Sequence, residues 1–568
     1  MRNSIIITIL VCFFSNAFCQ HKVLEKKTIA GKDRNIYISR LFSIDKENNK
    51  YVFGEFKNSF ISGTNQIQSS YDFGYYLTMY DKNDSCKWLI NIAESIKEPN
   101  NINSCKIKNT SIISDNNACY ISFMFVDTIK VNSITYISRG QEDILIIKVK
   151  NNGQIQFINQ IGNENSNGFT SDPLAVDNNN DIYFVNVLAT SNNLYTELVF
   201  GQDTVKTNVS CAYFVKMDVN GNYLWAKTKL SNNGHLFSLS NLCWNNNSLY
   251  ALGYAYVNNF QIDSVDINIP VDFSNKYYLV KFDNFGKAQW ARFFGIKSFG
   301  TFIPKDLVVA NDKLYFSSYS TEYQFFFQSS NWLGYSSVSG YNVLPQGDYF
   351  IACYDTAGNY KWAKASQSYG SELITQLSAD SNNNLLAVGY FDYTMAMGTD
   401  TLNTYGGDDA FVTSLDSNGN YLWSTSAGGA GVEVGNGIAT TTDGDIYVIG
   451  GTSSNTCYFG QDAVQVDSLP SMFLAKIVNA TPVGLQNFSK EDFWEVFPNP
   501  ASTMLEIRCP MVGKKEIQLY NAVGQLVINL KTEHQTLNIE TSKLPEGIYF
   551  LQLKQQGNTS TKKINIIY

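Results

Sequence analysis

An aspartate followed seven residues later by a tryptophan occurs five times in this chain, at Asp81/Trp88, Asp218/Trp225, Asp283/Trp290, Asp355/Trp362 and Asp416/Trp423. A sixth copy, Lys150 to Phe157, is degenerate, and a glycine stands three residues after the first position in five of the six copies (Gly153, Gly221, Gly286, Gly358, Gly419). The unit reads D-x-x-G-x-x-x-W and returns roughly every 60 to 70 residues, the mark of a repeat architecture. Each copy follows a short apolar-aromatic run (YYLTMYD, DILIIKVK, AYFVKMD, YYLVKFD, DYFIACYD, DAFVTSLD), so each reads as a β-hairpin whose second strand opens near the Trp.

A second hairpin accompanies every unit, with Asp or Asn at its turn: SIDKENNKYVFG, ISDNNACYISF, AVDNNNDIYFV, CWNNNSLYALG, VANDKLYFSS, SADSNNNLLAVG and TTDGDIYVIG. That makes seven copies of the second hairpin against six of the first. The chain ends supply the missing one: Ser471 to Val478 (SMFLAKIV) matches its first strand and Val23 to Gly31 (VLEKKTIAG) the segment that follows. An all-β fold is expected, a seven-bladed β-propeller closed by N- and C-terminal strands, because closure removes exposed sheet edges. The expected organisation is a signal peptide at 1–19, the propeller at 20–480, a linker at 481–492 and a small Ig-like β-sandwich at 493–568.

Between the hairpins runs a variable stretch with Asp-Thr or Asp-Ser pairs, among them Asp127-Thr128-Ile129, Asp203-Thr204-Val205 and Asp263-Ser264-Val265. These resemble the D-[ST]-aliphatic acceptor of O-glycosylation in some secreted-protein pathways; as repeated Asx or ST turns they need no modification to explain them. The repeats resemble the SBBP-type β-propeller repeats of bacterial secreted proteins, and the D-x-x-G-x-x-x-W hairpin is similar to the tryptophan-docking motif of quinoprotein-like propellers. The resemblance implies that Trp88, Trp225, Trp290, Trp362 and Trp423 fasten one blade to the next, and it fixes architecture better than function.

The chain carries 42 Lys and Arg against 50 Asp and Glu, a net charge of −8. With no basic run, phosphate recognition has no footprint, and nucleic acid is excluded as a partner. The opening MRNSIIITILVCFFSNAFCQ joins one basic residue to an apolar run, Ile5 to Phe14, too short to span a bilayer. It reads as a secretory signal cut after Cys19; Phe18 is too bulky for the lipobox that an anchor on Cys19 requires. No transmembrane segment is expected in the mature chain. The remaining cysteines are scattered without a C-x-x-C, so neither a zinc site nor a disulfide framework is indicated.

After the repeats come VFPNPAS, LEIRC, EIQLYNAVGQLVINL and LPEGIYFLQL. Their order closely resembles the type A C-terminal sorting domain of the type IX secretion system. The matching residues are Phe497, Pro498, Asn499, Pro500, Gly524, Leu544, Pro545, Gly547 and Tyr549. The resemblance implies a periplasmic intermediate, an outer-membrane translocon and a sorting-domain peptidase as partners, and a destination in the medium or on the outer-membrane surface of a Gram-negative bacterium.

No catalytic constellation emerges. Only His21, His235 and His534 are present, with no H-E-x-x-H and no G-x-S-x-G. A sialidase Asp box places Gly two and Trp five residues after Asp, a different register from the three and seven here. Pyrroloquinoline-quinone dehydrogenases share the docking spacing but carry vicinal cysteines, which this chain lacks. No cofactor is expected; the turns Asp177 to Asp181, Asp416 to Asn420 and Asp443 to Asp445 offer oxygen ligands for a structural calcium ion but lack the loop that would surround it. The aromatic interval Tyr323 to Val343, with Tyr323, Trp332, Tyr335 and Tyr341, is a candidate ligand surface. The expected function is a secreted or surface β-propeller that binds a protein or glycan, with a propeller enzyme acting on extracellular glycans, as lyase or hydrolase through carboxylate and Tyr chemistry, as the alternative.

Overall fold

The structure, a computed structural model, describes residues 22–29 and, with interruptions, 41–478 and 494–567; the longer interruptions are 97–106, 163–172, 189–195, 230–236, 329–334 and 340–347. Every regular element among the described residues is a β-strand. Two compact units emerge, Met1–Ala480 and Thr481–Tyr568.

Among its described residues the first unit has seven antiparallel sheets with a core of four strands each, and smaller two- and three-stranded sheets beside them. The first sheet runs Leu41–Ile44, Lys50–Phe56, Gly74–Tyr80 and Cys86–Ser95; the second Ile107–Ser114, Ala118–Phe125, Asp143–Lys150 and Ile155–Ile161; the third Leu174–Val176, Ile182–Leu188, Cys211–Met217 and Tyr223–Lys229. The fourth is Phe237–Asn245, Ser248–Ala255, Asn275–Asp283 and Ala288–Ile296; the fifth Phe302–Ala310, Lys313–Ser320, Asp348–Asp355 and Tyr360–Ala365; the sixth Glu372–Ala379, Leu385–Phe391, Asp409–Leu415 and Tyr421–Gly429. In the seventh, Glu433–Thr440, Ile446–Thr452 and Ser471–Val478 are joined by Lys22–Ile29, which pairs antiparallel with Ser471–Val478 from Lys22↔Val478 to Ile29↔Met472.

Second and third strands are buried on both faces, which is why they read as near-continuous apolar runs; Ile144, Leu145, Ile146 and Ile147 are all buried. Packing occurs between sheets rather than within one: one cluster joins Tyr183 and Phe214 of the third sheet to Tyr278 and Phe282 of the fourth. The first strand of each sheet lies against the first strand of the next, and that of the seventh lies against that of the first. Among the described residues no single sheet closes on itself.

Between second and third strands most sheets extrude a small hairpin. Three of these cross to the preceding sheet and pair with its fourth strand, Thr128–Val131 with Cys86–Ser95, Gln324–Gln328 with Ala288–Ile296 and Thr456–Phe459 with Tyr421–Gly429, and that of the sixth sheet, Thr394–Met397, pairs with Gln367–Ser368 just beyond the fourth strand of the fifth. An otherwise open edge is thereby covered.

The second unit packs a three-stranded sheet (Glu495–Phe497, Met504–Arg508, Thr536–Glu540) and a four-stranded sheet (Leu526–Thr532, Lys515–Asn521, Gly547–Gln555, Asn558–Ile566) around Trp494, Leu505, Leu519, Tyr549 and Leu551.

Candidate functional site

The D-x-x-G-x-x-x-W unit is a device for holding neighbouring sheets together. The Asp side chain shapes the turn: Asp218 Oδ1 accepts the N–H groups of Asn220 and Asn222 at 2.8 and 2.9 Å, and Asp416 does the same with Asn418 and Asn420. Burial pushes these two carboxyls up, but the N–H bonds outweigh it and hold them below the usual carboxylate range. Glycine is required because φ is positive, +83° at Gly221 and +81° at Gly419. The same glycines carry the ring of the preceding sheet: a Cβ on Gly286 would meet Trp225, on Gly358 Trp290, on Gly419 Trp362 and on Gly153 Trp88, all at 2.8–3.2 Å. The indole N–H groups of Trp88, Trp290 and Trp362 donate to Asn151, Thr356 and Ser417 of the next turn, at 2.8, 3.3 and 3.1 Å.

In the degenerate copy Phe157 covers Gly221. Phenylalanine has no N–H, and here Asn159 Nδ2 donates to Gly221 O at 2.8 Å. Two residues beyond the aromatic, Lys227 and Arg292 likewise reach Phe285 O and Gly358 O, at 2.6 and 2.7 Å. This W-x-[KR] companion was present in the sequence and carried no signal until the next turn stood opposite it. Trp423 packs instead into a cluster with Leu386, Val388, Val448, Ala475 and Ile477, since the hairpin that would supply its glycine is divided between the chain ends.

At the seam between the seventh and first sheets the fastening is polar. Asp84 occupies the turn position that glycine fills elsewhere, at φ +60°. Its carboxylate pairs with Lys50 Nζ at 2.6 Å, Lys50 being fully buried, and accepts the Tyr447 hydroxyl at 3.1 Å. Lys50 also lies 4.5 Å from the centroid of the Tyr447 ring. Nearby, Asn48 donates to Asp443 and accepts from the Thr442 N–H and hydroxyl.

The turns weighed for calcium direct their carboxylates inward. Asp177 accepts Asn179 N, Asp181 N and the Tyr183 hydroxyl, and pairs with Lys216. Among the described residues no cluster of three or more His, Cys, Asp or Glu could hold a metal ion. In the Asp-Thr and Asp-Ser hairpins, Asp203 and Asp263 accept backbone N–H groups from Ala226 and Ala288, while Thr204 and Ser264 are exposed. Two carboxyls lie well above their ordinary value. Burial pushes Asp306 up to about 6 against the N–H groups of Leu377 and Leu307, and pushes Asp409 up to about 7, where the Tyr405 N–H pulls down and the Glu433 charge pushes up.

Tyr323, Trp332 and Tyr341 lie outside the described residues; Tyr335 opens the strand Tyr335–Ser339, its side chain outside them. Among the described residues a cleft of about 380 Å³ is lined by Arg139, Gln160, Gly162, Glu197, Val199 and Tyr223 among others. No feature of the sequence had pointed to it.

In the second unit the motif residues shape turns and strand ends. Asn499 Nδ2 donates to Lys563 O and its Oδ1 accepts the Asn565 N–H; the Arg508 guanidinium sits 4.3 Å from the Phe497 ring centroid. Pro498 and Pro500 are exposed and both follow cis peptide bonds. Gly524 closes the hairpin turn at φ +79°, Leu544 packs on the core, and the Tyr549 hydroxyl donates to Pro545 O at 2.8 Å, spanning Gly547. Trp494, buried in this core, was not singled out from the sequence.

Comparison with known proteins adds the following. Residues 495–567 match the family model of the secretion system C-terminal sorting domain. No curated protein matches the chain. Among solved structures, similarity extends to PorZ, a surface component of the type IX secretion system of Porphyromonas gingivalis (9% identity, 93% of this chain and 70% of that one, TM-score 0.18). It extends also to a phage phi92 endosialidase (8%, 95% and 87%, 0.33) and a GH43 endo-arabinanase from Bacillus licheniformis (12%, 51% and 90%, 0.23). At these scores the similarities carry no argument about activity. Among the described residues no helix is long and apolar enough to cross a membrane. With the sorting domain at 495–567, the chain is a type IX secretion substrate, secreted or held at the cell surface.

Proposed function

We propose that this protein is a surface-delivered or released β-propeller of the SBBP-type, quinoprotein-like kind that binds an extracellular protein or glycan and carries a removable sorting domain. Seven blades closed into a ring account for the cyclic contacts of the first strands and for the pairing of Lys22–Ile29 with Ser471–Val478. The observation that favours binding over catalysis is where the repeated polar residues go: the turn aspartates close their own turns, while Lys148, Lys281 and the N–H groups of Trp88, Trp290 and Trp362 bond across to the next sheet. Asp409, the carboxyl displaced furthest, is fully buried, out of reach of a substrate.

An array of glycans and extracellular-matrix proteins probed with the full chain tests the reading; retention of at least one ligand class supports it, and uniform absence of binding refutes it. The export half is separable. Deleting residues 494–568 is expected to trap the protein in the periplasm, and normal surface delivery of that truncation would overturn the sorting assignment.

A further inference from the structure

We infer that the cleft between the outer edge of the second sheet and the hairpin of the third is a binding site for a neutral saccharide. The inference rests on the glycan arm of the binding reading above and gives it a place. At the first, fourth and sixth sheets the hairpin of the following sheet is zipped onto the outer strand. At the second sheet the corresponding hairpin, Thr196–Phe200 with Asp203–Thr207, pairs only with itself, as do Asn259–Ile262 with Val265–Asn268 and Ser59–Ser62 with Asn65–Gln68; what sets the second sheet apart is the side chains that line the gap. Its neighbour Ile155–Ile161 is capped by side chains instead: Arg139 Nη2 donates to Gln160 O at 3.2 Å, and Gln160 Nε2 donates to Ile137 O at 2.8 Å. The gap left is about 380 Å³, within the roughly 300–1,000 Å³ of small-molecule clefts.

Arg139 is where this repeat departs from its counterpart in the sixth sheet. Asp143 and Asp409 both open a third strand, and each carboxylate accepts the backbone N–H of the residue four before it, Arg139 and Tyr405 respectively. Only in the second sheet is that residue a cation. Its Nε is held by Asp143 at 3.1 Å and its Nη2 by Gln160 O, while the side chain stays half exposed. The guanidinium is thus fixed in orientation, with Nη1 left as a charged donor at the cleft.

The ligand class follows from charge and polarity. Arg139 is balanced by Asp143, and Glu197 by Lys206 at 3.2 Å, so the lining carries no net charge to favour an ion. It does place a guanidinium donor and a carboxylate acceptor in one cleft, with the Tyr223 phenol beside them. Hydroxyl groups, each both donor and acceptor, match that combination. Val199, 64% exposed, provides an apolar surface for the C–H face of a sugar ring, while its strand neighbours Leu198 and Phe200 are buried and hold that strand against the core. A polyhydroxylated, uncharged and partly apolar ligand meets every one of these groups.

The test is saturation-transfer NMR on the full chain with lactose, maltose, cellobiose and mannobiose, and galacturonic acid as a charged probe. Val199→Trp fills the cleft from an exposed position, and Val271→Trp, at a site 88% exposed away from the cleft, is the control. We expect at least one neutral disaccharide to bind, Val199→Trp and Arg139→Gln each to weaken it by about tenfold or more, and Val271→Trp to leave it unchanged. Absence of transfer from all four neutral sugars, binding of galacturonic acid alone, or equal binding by Val199→Trp would each overturn the inference. A chain that binds none of these sugars yet captures a matrix protein on the array retains the binding reading and loses the cleft.

Discussion

Trp362 and Gly419 belong to consecutive sheets, and their contact yields a quantitative expectation. The indole plane lies on the glycine, whose φ is +81°, and its N–H donates to Ser417 O at 3.1 Å. Trp362→Ala removes a partly buried ring and one hydrogen bond, so about 3 kcal/mol of stability is expected to go, the lower end of the range for large aromatic truncations. Gly419→Ala adds two costs. A left-handed backbone at a non-glycine residue costs about 1–2 kcal/mol, and the new Cβ would stand 2.8 Å from the ring, an overpacking that costs about 1–3 kcal/mol. Once the ring is gone only the backbone cost remains. The double variant is therefore expected to be more stable than the sum of the single losses by about 1–3 kcal/mol. Gly444→Ala isolates the backbone cost, because φ is +91° there and the added Cβ meets only the Ser381 side chain at 3.0 Å. Urea unfolding of the full chain followed by far-UV circular dichroism, comparing midpoints of the same transition, reads all four variants. Additive losses in the cycle, or a Gly419→Ala cost no larger than that of Gly444→Ala, would refute the docking argument.

Two further outcomes are expected. Lys50→Met leaves Asp84 beside Tyr447 without its buried cation, which should cost about 3–5 kcal/mol and, in hydrogen exchange, should expose Ile446–Thr452 and Lys50–Phe56 before the third and fourth sheets; uniform exposure throughout would contradict a local seam. Asp409 has its folded value raised to about 7 over an unfolded value of about 3.9, so the folded state holds the extra proton and stability should decline as pH rises from about 4 to about 7. Asp409→Asn should flatten that decline in urea midpoints, and an unaltered slope would remove Asp409 from the account.

Much of the scaffold was legible in the chain because its physics is local and repeated. Asp218 needs only residues two and four ahead of it to close its turn, and Gly221 needs only its own backbone angle; both conditions are written in a window of a few residues and renewed along the chain. The sorting domain was legible for the same reason, since Tyr549 finds its partner at Pro545, within one segment. The W-x-[KR] companion escaped because Arg292 answers to Gly358, a partner 66 positions away, and nothing in the window around Arg292 names it.

By itself, then, the sequence determined the strands, their turns, the repeating unit and the export tail, all properties of short segments whose hydrogen bonds close nearby. Tertiary structure alone decided what each unit touches. It set the rings on the glycines of the following sheet, substituted Lys50, Asp84 and Tyr447 for that contact where the chain ends interrupt a hairpin, and left the third sheet's hairpin off the edge beside Arg139. The physical reason is that packing between sheets is a relation between residues tens to hundreds of positions apart. A repeated sequence announces that such relations exist, and only the register of one sheet against another says which side chains satisfy them and where they leave room for something else.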